Sequence, residues 1–211
     1  MLTTLLEKVD PKHAAVIVID MQNDFCHDEG GLAKNGGNVK PTQAIVPTLN
    51  ALIADARNSG TPVIFVRAAH NEWTDSDPRK EKQLGRKNAI CAEGTWGCEF
   101  YGVSPLEGEC IVTKHRFSAF INTDLDLILR AQGIDTIVMT GTATNVCVES
   151  TSRDGFMLDY YVVLVDDCCG TGDAELHAAT LKNIGRSFGT VVKAQDVMEA
   201  WAEAKLLAPV R

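Results

Sequence analysis

The sequence predicts a doubly wound (Rossmann-like) α/β fold, in which a mostly parallel six-stranded sheet carries helices on both faces of a single domain, residues 1–211. Two observations support this prediction. Short apolar, β-branched runs alternate with segments of helical period along most of the chain. The length of 211 residues and the 45% hydrophobic content suit one domain with a full core rather than two domains.

Six apolar runs, bounded by turn or polar residues, are predicted as strands. They cover residues 14–20, 62–67, 109–114, 136–140, 161–165 and 190–192. Segments with apolar residues at helical spacing lie between them, and three of these end at Gly60, Gly133 and Gly185. The predicted helices cover residues 43–59, 124–132, 145–158, 174–185 and 194–204.

Residues 68–107, called here the lid segment, interrupt this alternation. The segment is polar, rich in Gly and Asp, and without a clear period. Loops of this length in compact domains are usually functional or disordered. Its aromatic residues Trp73, Trp96, Phe100 and Tyr101 favour an ordered lid that covers the edge of the sheet and shapes a pocket. Surface decoration or a subunit contact fits the same composition.

Composition and charge exclude several classes of protein. The formal net charge of −8 argues against nucleic acid or an anionic membrane surface as a partner. We expect a soluble, cytoplasmic protein, because no apolar run approaches the roughly 20 residues of a membrane helix and the N-terminus lacks the pattern of a signal peptide. The seven cysteines show no paired framework or zinc-binding cluster, which predicts reduced thiols and no metal or cofactor.

Cys147 is the strongest candidate for a nucleophile. It follows a buried strand and the turn GTATN, and the helical period begins at Val146. Cys147 is therefore predicted in the first turn of a helix, where unpaired N–H groups and the helix dipole favour thiolate over thiol. The N–H groups of Cys147 and Ala143 could together bind the oxyanion of an acyl-transfer intermediate.

Two other predicted strands end in a charged residue, Asp20 and Lys114. Because the carboxyl ends of parallel strands meet at one edge of a sheet, we expect both side chains to lie near Cys147. Lys114 would lower the pKa of the thiol, and Asp20 would accept its proton and return it to a leaving amine before water opens the acyl-enzyme. Taken alone, Asp20 would suit a turn at the end of a strand and Lys114 a solvated surface. The hypothesis therefore depends on Asp20, Lys114 and Cys147 all lying at predicted strand ends.

Three motifs, VIVIDMQNDFC, VTKHRFSAF and GTATNVCVESTSRDGF, together resemble the isochorismatase-like cysteine hydrolases, and the likeness runs from residue 14 to about 197. The resemblance implies a catalytic triad that matches Asp20, Lys114 and Cys147. It also implies a cis peptide bond between Thr142 and Ala143, which would turn the Ala143 N–H into the oxyanion hole. We further expect a homodimer or homotetramer.

Departures from relatives narrow the expected substrate. Family members that hydrolyse isochorismate resemble this chain at KHRFSAF, but they typically lack the cysteine. Nicotinamidases carry a metal site after the second strand, with the pattern Asp-x-His and a further His. Here RAAHNEW offers only His70, and Ala68 stands at the place of the aspartate. A metal-bound nicotinamide is therefore not expected. Nicotinamidase and isochorismatase-type hydrolysis stay open as alternative functions. A role of His70 in the site also stays open.

The segment TATNVCVEST followed by RDGF resembles ureidoacrylate amidohydrolases and other ureido or carbamoyl amidases. That resemblance implies a small-molecule amide or ureido substrate whose C–N bond is cleaved. Arg116 is then a candidate to grip a substrate carboxylate, although a salt bridge within the fold would suit it equally. The other residues expected to bind substrate are Gln22, Phe25, Trp73, Phe117 and Thr142.

A binding module of the same fold, with a vestigial triad, is the alternative from another class. Thiol alkylation separates the two hypotheses. An enzyme should react fastest at one cysteine and lose activity, whereas a binding module should show no privileged thiol.

Overall fold

A six-stranded parallel sheet forms the centre of the computed structural model, which describes residues 1–207. The strand order is β3-β2-β1-β4-β5-β6, and every neighbouring pair is parallel. The strands are β1 (Ala14–Ile19), β2 (Val63–Ala68), β3 (Cys110–Lys114), β4 (Thr136–Thr142), β5 (Tyr161–Gly170) and β6 (Thr190–Val192). The predicted fold class is confirmed, with an all-parallel sheet, and the strand ends lie close to the predicted ones except that β5 continues past residue 165 to Gly170.

Ten α-helices lie within the described residues. They are α1 (Leu5–Lys8), α2 (Asn23–Cys26), α3 (Gly31–Lys34), α4 (Lys40–Ala44), α5 (Val46–Ser59), α6 (Asp77–Lys82), α7 (Leu125–Ala131), α8 (Glu149–Met157), α9 (Ala174–Ser187) and α10 (Ala194–Leu207). The predicted helix 43–59 is divided at Ile45, because Pro47 has no N–H to continue the helical bonds. Helices α1, α2, α3 and α6 were not predicted, since four to six residues are too short to show a period. None of the described helices is long and apolar enough to cross a bilayer.

Helices cover both faces of the sheet. Val16 and Val18 of β1 pack on one side, in a cluster that includes Leu49 of α5 and Trp201 of α10. Their neighbours in β1 point to the opposite face, in a second cluster formed with α7 and α9. Because β1 is buried on both faces, its sequence is an unbroken apolar run and does not alternate between apolar and polar residues.

The strand order reverses between β1 and β4, and a close backbone approach there places the turn that follows β4. Gly141 adopts φ 107°, and a side-chain carbon added to it would lie 2.0 Å from the Ile19 carbonyl oxygen. Only glycine fits this position, because any other residue meets both a steric clash and an unfavourable backbone conformation. The residues after β1 and β4 are thereby held side by side at the carboxyl edge of the sheet.

Candidate active site

Asp20, Lys114 and Cys147 meet at this edge, as their positions in the sequence predicted. Lys114 lies between the other two: its Nζ is 2.8 Å from Asp20 Oδ2 and donates a hydrogen bond of 3.4 Å to Cys147 Sγ. The same ammonium group donates to the Arg116 carbonyl oxygen at 3.0 Å. All three side chains are almost fully removed from solvent, so their mutual interactions are weakly screened.

Burial governs the protonation states of the three groups. It raises the pKa of Asp20, although the Lys114 ammonium opposes the shift. Burial lowers the pKa of Lys114, but the charge of Asp20 and the hydrogen bonds to Asp20 and Cys147 outweigh this effect, so the pKa lies above its ordinary value. Lys114 is therefore a permanent cation at neutral pH.

The predicted lowering of the Cys147 pKa was wrong for this resting state. Burial, followed by the charge of Asp20, raises the pKa of Cys147 to about 12, and Lys114 opposes the shift only in part. The sequence placed the thiol correctly at the start of a helix but did not show that it would be enclosed beside a carboxylate. Cys147 therefore rests as a thiol, and its proton must be removed when substrate is present.

The turn that carries Cys147 is π-helical. It spans Thr144–Val148, directly before α8, and the Val148 N–H donates to the Ala143 carbonyl oxygen at 3.2 Å. The peptide bond between Thr142 and Ala143 is cis. Among residues 1–207, the Ala143 N–H donates no hydrogen bond within the protein. Ala143 and Cys147 both line the cavity described next.

A cavity of about 500 Å³ opens above the three residues, a volume typical of small-molecule sites. Phe25, Arg116 and Phe117 line it, as predicted from the sequence. The other lining residues belong to the lid segment or lie at or near Lys114 and Cys147. They are Leu32, Ala68, His70, Ser76, Pro78, Arg79, Lys82, Gln83, Arg86, Ile90, Lys114, His115, Ala143, Val146 and Cys147.

Three predicted substrate-binding residues do not line the cavity. Trp73 is 89% exposed on the outside of the lid segment. The Gln22 amide is used internally: it donates to the Ala68 and Cys98 carbonyl oxygens and accepts from the Ala68 N–H. The Thr142 hydroxyl donates to the Gly170 carbonyl oxygen at 3.0 Å. Gln22 and Thr142 are buried polar residues that hold the backbone, a role that sequence position did not distinguish from binding.

Cations surround the mouth of the cavity, whereas no Asp or Glu lines it within the described part of the chain. Arg79 is paired with Asp75, with 2.6 Å between Nε and Oδ1. Lys82, Arg86 and Arg116 form no ion pair within residues 1–207. Lys82 and Arg86 were not predicted as site residues, although the basic run PRKEKQLGRK was a signal that could have identified them.

Arg116 reaches the cavity from a bend in the chain, which follows directly after strand β3 ends at Lys114. Its Nη1 donates to the carbonyl oxygens of Thr74 and His115 at 3.0 and 2.7 Å. The remaining N–H groups of the guanidinium are left for a ligand.

His70 lines the cavity as a neutral side chain. Burial, reinforced by the charge of Arg79, lowers its pKa to about 4. Its Nδ1 has no hydrogen-bond partner within residues 1–207. No group of three or more His, Cys, Asp or Glu side chains that could hold a metal ion occurs in that range, and Ala68 supplies no ligand beside His70.

Comparison with known proteins supports one family. A family model described as the isochorismatase domain matches residues 14–196. The chain is 34% identical over 214 residues to ureidoacrylate amidohydrolase RutB of Acinetobacter baylyi, covering 94% of this chain and 87% of the relative. The same enzyme of Klebsiella pneumoniae is 35% identical over 217 residues, covering 94% and 91%. The crystal structure of a cysteine hydrolase from Pseudomonas syringae pv. phaseolicola matches with a TM-score of 0.85 and 31% identity, over 93% of this chain and 96% of that one.

The fold and these relatives define an enzyme of the hydrolase class. The chain belongs to the isochorismatase family, which confirms the resemblance that the three motifs indicated. The predicted homodimer or homotetramer stays a prediction.

Proposed function

We propose that the protein is a cysteine-dependent amidohydrolase that cleaves a C–N bond of a small ureido, carbamoyl or amide substrate through a thioester. The main support is the position of Lys114, whose ammonium contacts both the Asp20 carboxylate and the Cys147 sulfur at the floor of the cavity. A thiol, a base and a fixed cation in contact are the parts that covalent acyl transfer needs. The two amidohydrolase relatives support the same class of reaction.

The proposed chemistry begins with transfer of the Cys147 proton to Asp20. The raised pKa of Asp20 suits a group that must accept a proton and release it again. The thiolate, stabilised by Lys114, attacks the substrate carbonyl carbon and forms a C–S bond. The C–N bond then breaks, and Asp20 returns its proton to the leaving nitrogen. Water, deprotonated by Asp20, hydrolyses the thioester and regenerates the thiol.

The N–H groups of Ala143 and Cys147 are proposed to bind the oxyanion of both tetrahedral intermediates. Ala143 directly precedes the π-helical turn and Cys147 lies within it; both line the cavity, and the Ala143 N–H has no partner in the described protein. Buried N–H groups without a partner are rare, and they are expected where a ligand supplies the acceptor. Loss of one such donor typically lowers the rate by about 100-fold or more.

The substrate is proposed to be an acid, and ureidoacrylate is the first candidate. The cationic mouth of the cavity would attract a carboxylate, because charges in a low-dielectric cleft act over several ångströms. The lid segment contributes Lys82 and Arg86 to this mouth, so we propose that it helps to select and enclose the substrate.

A panel of substrates tests this function directly. Release of ammonia would be measured with ureidoacrylate, N-carbamoyl amino acids, biuret, maleamate and nicotinamide. We expect the highest kcat/KM for an acidic ureido or carbamoyl compound. Fastest hydrolysis of nicotinamide would instead support the nicotinamidase alternative, and absence of hydrolysis of every compound would contradict the proposed function.

Arg116→Ala should reduce kcat/KM for an acidic substrate by about tenfold, because Arg116 is exposed and a charge-assisted hydrogen bond there contributes at most roughly 1.5 kcal/mol. The guanidinium has N–H groups left for a carboxylate after its bonds to Thr74 and His115. Hydrolysis of the neutral substrate biuret should change little. Equal losses on both substrates would show that Arg116 supports the fold or the triad instead. Arg130→Ala, which removes an exposed arginine far from the cavity, serves as the control.

Exhaustive chelation should leave the activity unchanged, because the donor set after β2 offers His70 without a second ligand at position 68. The measurement is kcat/KM before and after dialysis against a chelator, with metal content followed by elemental analysis. Loss of activity together with a stoichiometric amount of zinc or iron would contradict the proposed metal-free mechanism.

A further inference from the structure

A second cluster of polar side chains lies behind the nucleophile turn, on the side away from the cavity. The His177 ring on α9 bridges two partners: its Nδ1 is 3.0 Å from Thr144 Oγ1, and its Nε2 is 2.8 Å from Asp166 Oδ1 of β5. The other oxygen of Asp166 accepts a hydrogen bond from the Lys193 ammonium. These four residues form a continuous chain of hydrogen bonds that ends at the residue next to Ala143.

The direction of the bond to Asp166 follows from the charges. Asp166 is partly buried, which raises its pKa, but the bonds from Lys193 and His177 outweigh this, so the pKa lies below its ordinary value. The Asp166 carboxylate therefore accepts a hydrogen bond from the Nε2–H of His177. The other ring nitrogen, Nδ1, shares the second hydrogen bond with the Thr144 hydroxyl, which can either donate or accept.

The arrangement of hydroxyl, imidazole and carboxylate resembles that of a hydrolytic triad, but Thr144 cannot be a nucleophile. Its side chain is fully buried and it does not line the cavity. Its position has a different consequence. Thr144 lies between Ala143 and Cys147, in the turn that carries both proposed oxyanion donors and the sulfur. Asn145, which follows Thr144, is also held by a hydrogen bond, because the Thr171 hydroxyl donates to Asn145 Oδ1 at 2.8 Å.

We infer that His177 is a positioning residue, which holds the nucleophile turn in its reactive geometry through the Thr144 hydroxyl. The inference rests on the proposed function. Without His177 the buried hydroxyl has lost its partner, and the turn must shift to satisfy it. A displacement of about 1 Å at a reacting group can lower a rate by about 100-fold.

The test measures kcat and KM for His177→Ala, Thr144→Val and the double variant. Each single variant should lower kcat by about tenfold or more with KM within about threefold, and the double variant should lose little more than either single one, because both changes break the same contact. His177→Asn should restore much of kcat, since its amide oxygen stands near the place of Nδ1. Thr144→Val nearly preserves side-chain volume, so it keeps the test valid if His177→Ala fails to fold.

Thr180→Val is the matched control. Thr180 lies one turn along α9, is buried, and donates a comparable bond at 2.5 Å to Oε2 of Glu149, the first residue of α8, instead of to a residue of the turn Thr144–Val148. This variant should keep nearly full kcat. The inference is overturned if Thr180→Val loses as much as His177→Ala, if the two single losses multiply in the double variant, or if His177→Ala keeps the wild-type kcat.

A second measurement separates this inference from the proposed function. The rate of Cys147 alkylation by iodoacetamide needs no substrate, and it should fall several-fold in His177→Ala and Thr144→Val, because the sulfur moves away from Lys114. If the wild-type protein hydrolyses nothing in the panel but the alkylation rates fall as stated, the proposed function fails and the positioning role stands. Unchanged alkylation rates contradict the positioning role in either case.

Discussion

Cys147→Ala should abolish hydrolysis of every substrate while leaving the protein folded. The thiol is the only candidate nucleophile that contacts Lys114 in the described part of the chain, and removal of a catalytic nucleophile typically costs more than about 1,000-fold in rate. A single buried sulfur removed at the start of a helix leaves a small cavity, so circular dichroism should show an unchanged fold. The measurement is ammonia release at saturating substrate.

Cys169→Ala is the matched control, because Cys169 is equally buried at the same edge of the sheet but does not line the cavity. It should retain nearly full activity. Retention of more than about a tenth of the wild-type rate in Cys147→Ala would remove Cys147 from the mechanism. Alkylation of the wild-type protein completes the comparison: an absence of any privileged thiol, together with no hydrolysis, would support the alternative of a binding module.

The parts of the site that follow from strand topology were predictable from the sequence. Asp20 and Lys114 each come at or directly after the end of a strand, and parallel strands bring such residues to one edge. The position of Cys147 followed from a buried strand, a glycine-containing turn and a helical period in succession. Those local signals fixed three side chains from distant parts of the chain.

Other features depend on where the chain runs in space. Gln22 and Trp73 were assigned to the pocket by position, but one is used to hold the lid backbone and the other faces outward. The path of the lid segment could not be predicted, because its polar sequence carries no period. The Thr144–His177–Asp166 chain joins residues from three elements, and no local pattern in the sequence indicates that they meet.

The pKa of Cys147 also depends on features that the sequence does not show. A helix start lowers the pKa of a thiol, whereas burial and a neighbouring carboxylate raise it. The sequence revealed the first effect, but the depth of the site decides the outcome, and the pKa rises to about 12. The sequence therefore predicted both a lowered thiol pKa and a base, Asp20, whereas the structure shows a raised thiol pKa, so the reaction depends on the base.

Asp20→Asn should change hydrolysis and alkylation of Cys147 in opposite directions. Hydrolysis should fall by about 1,000-fold or more, because no group remains to protonate the leaving nitrogen and to activate water. Alkylation of Cys147 at neutral pH should become faster. Asp20 raises the pKa of Cys147 and also pairs with Lys114, so its removal lowers that pKa and leaves the ammonium with the sulfur as its remaining anionic partner.

Lys114→Met is the contrasting variant, in which hydrolysis and alkylation should both decline, since the thiolate has lost its cation and still lies beside Asp20. The measurements are the pH dependence of iodoacetamide alkylation and of kcat/KM for the three proteins, with circular dichroism to establish that each is folded. In Asp20→Asn the pH profile of alkylation should move to lower pH relative to wild type, and in Lys114→Met it should move to higher pH.

If Asp20→Asn is alkylated no faster than wild type, Asp20 does not control the pKa of the thiol. If Asp20→Asn instead keeps its hydrolytic rate, another group is the base, and His70, which is neutral and lines the cavity, is the next to be changed.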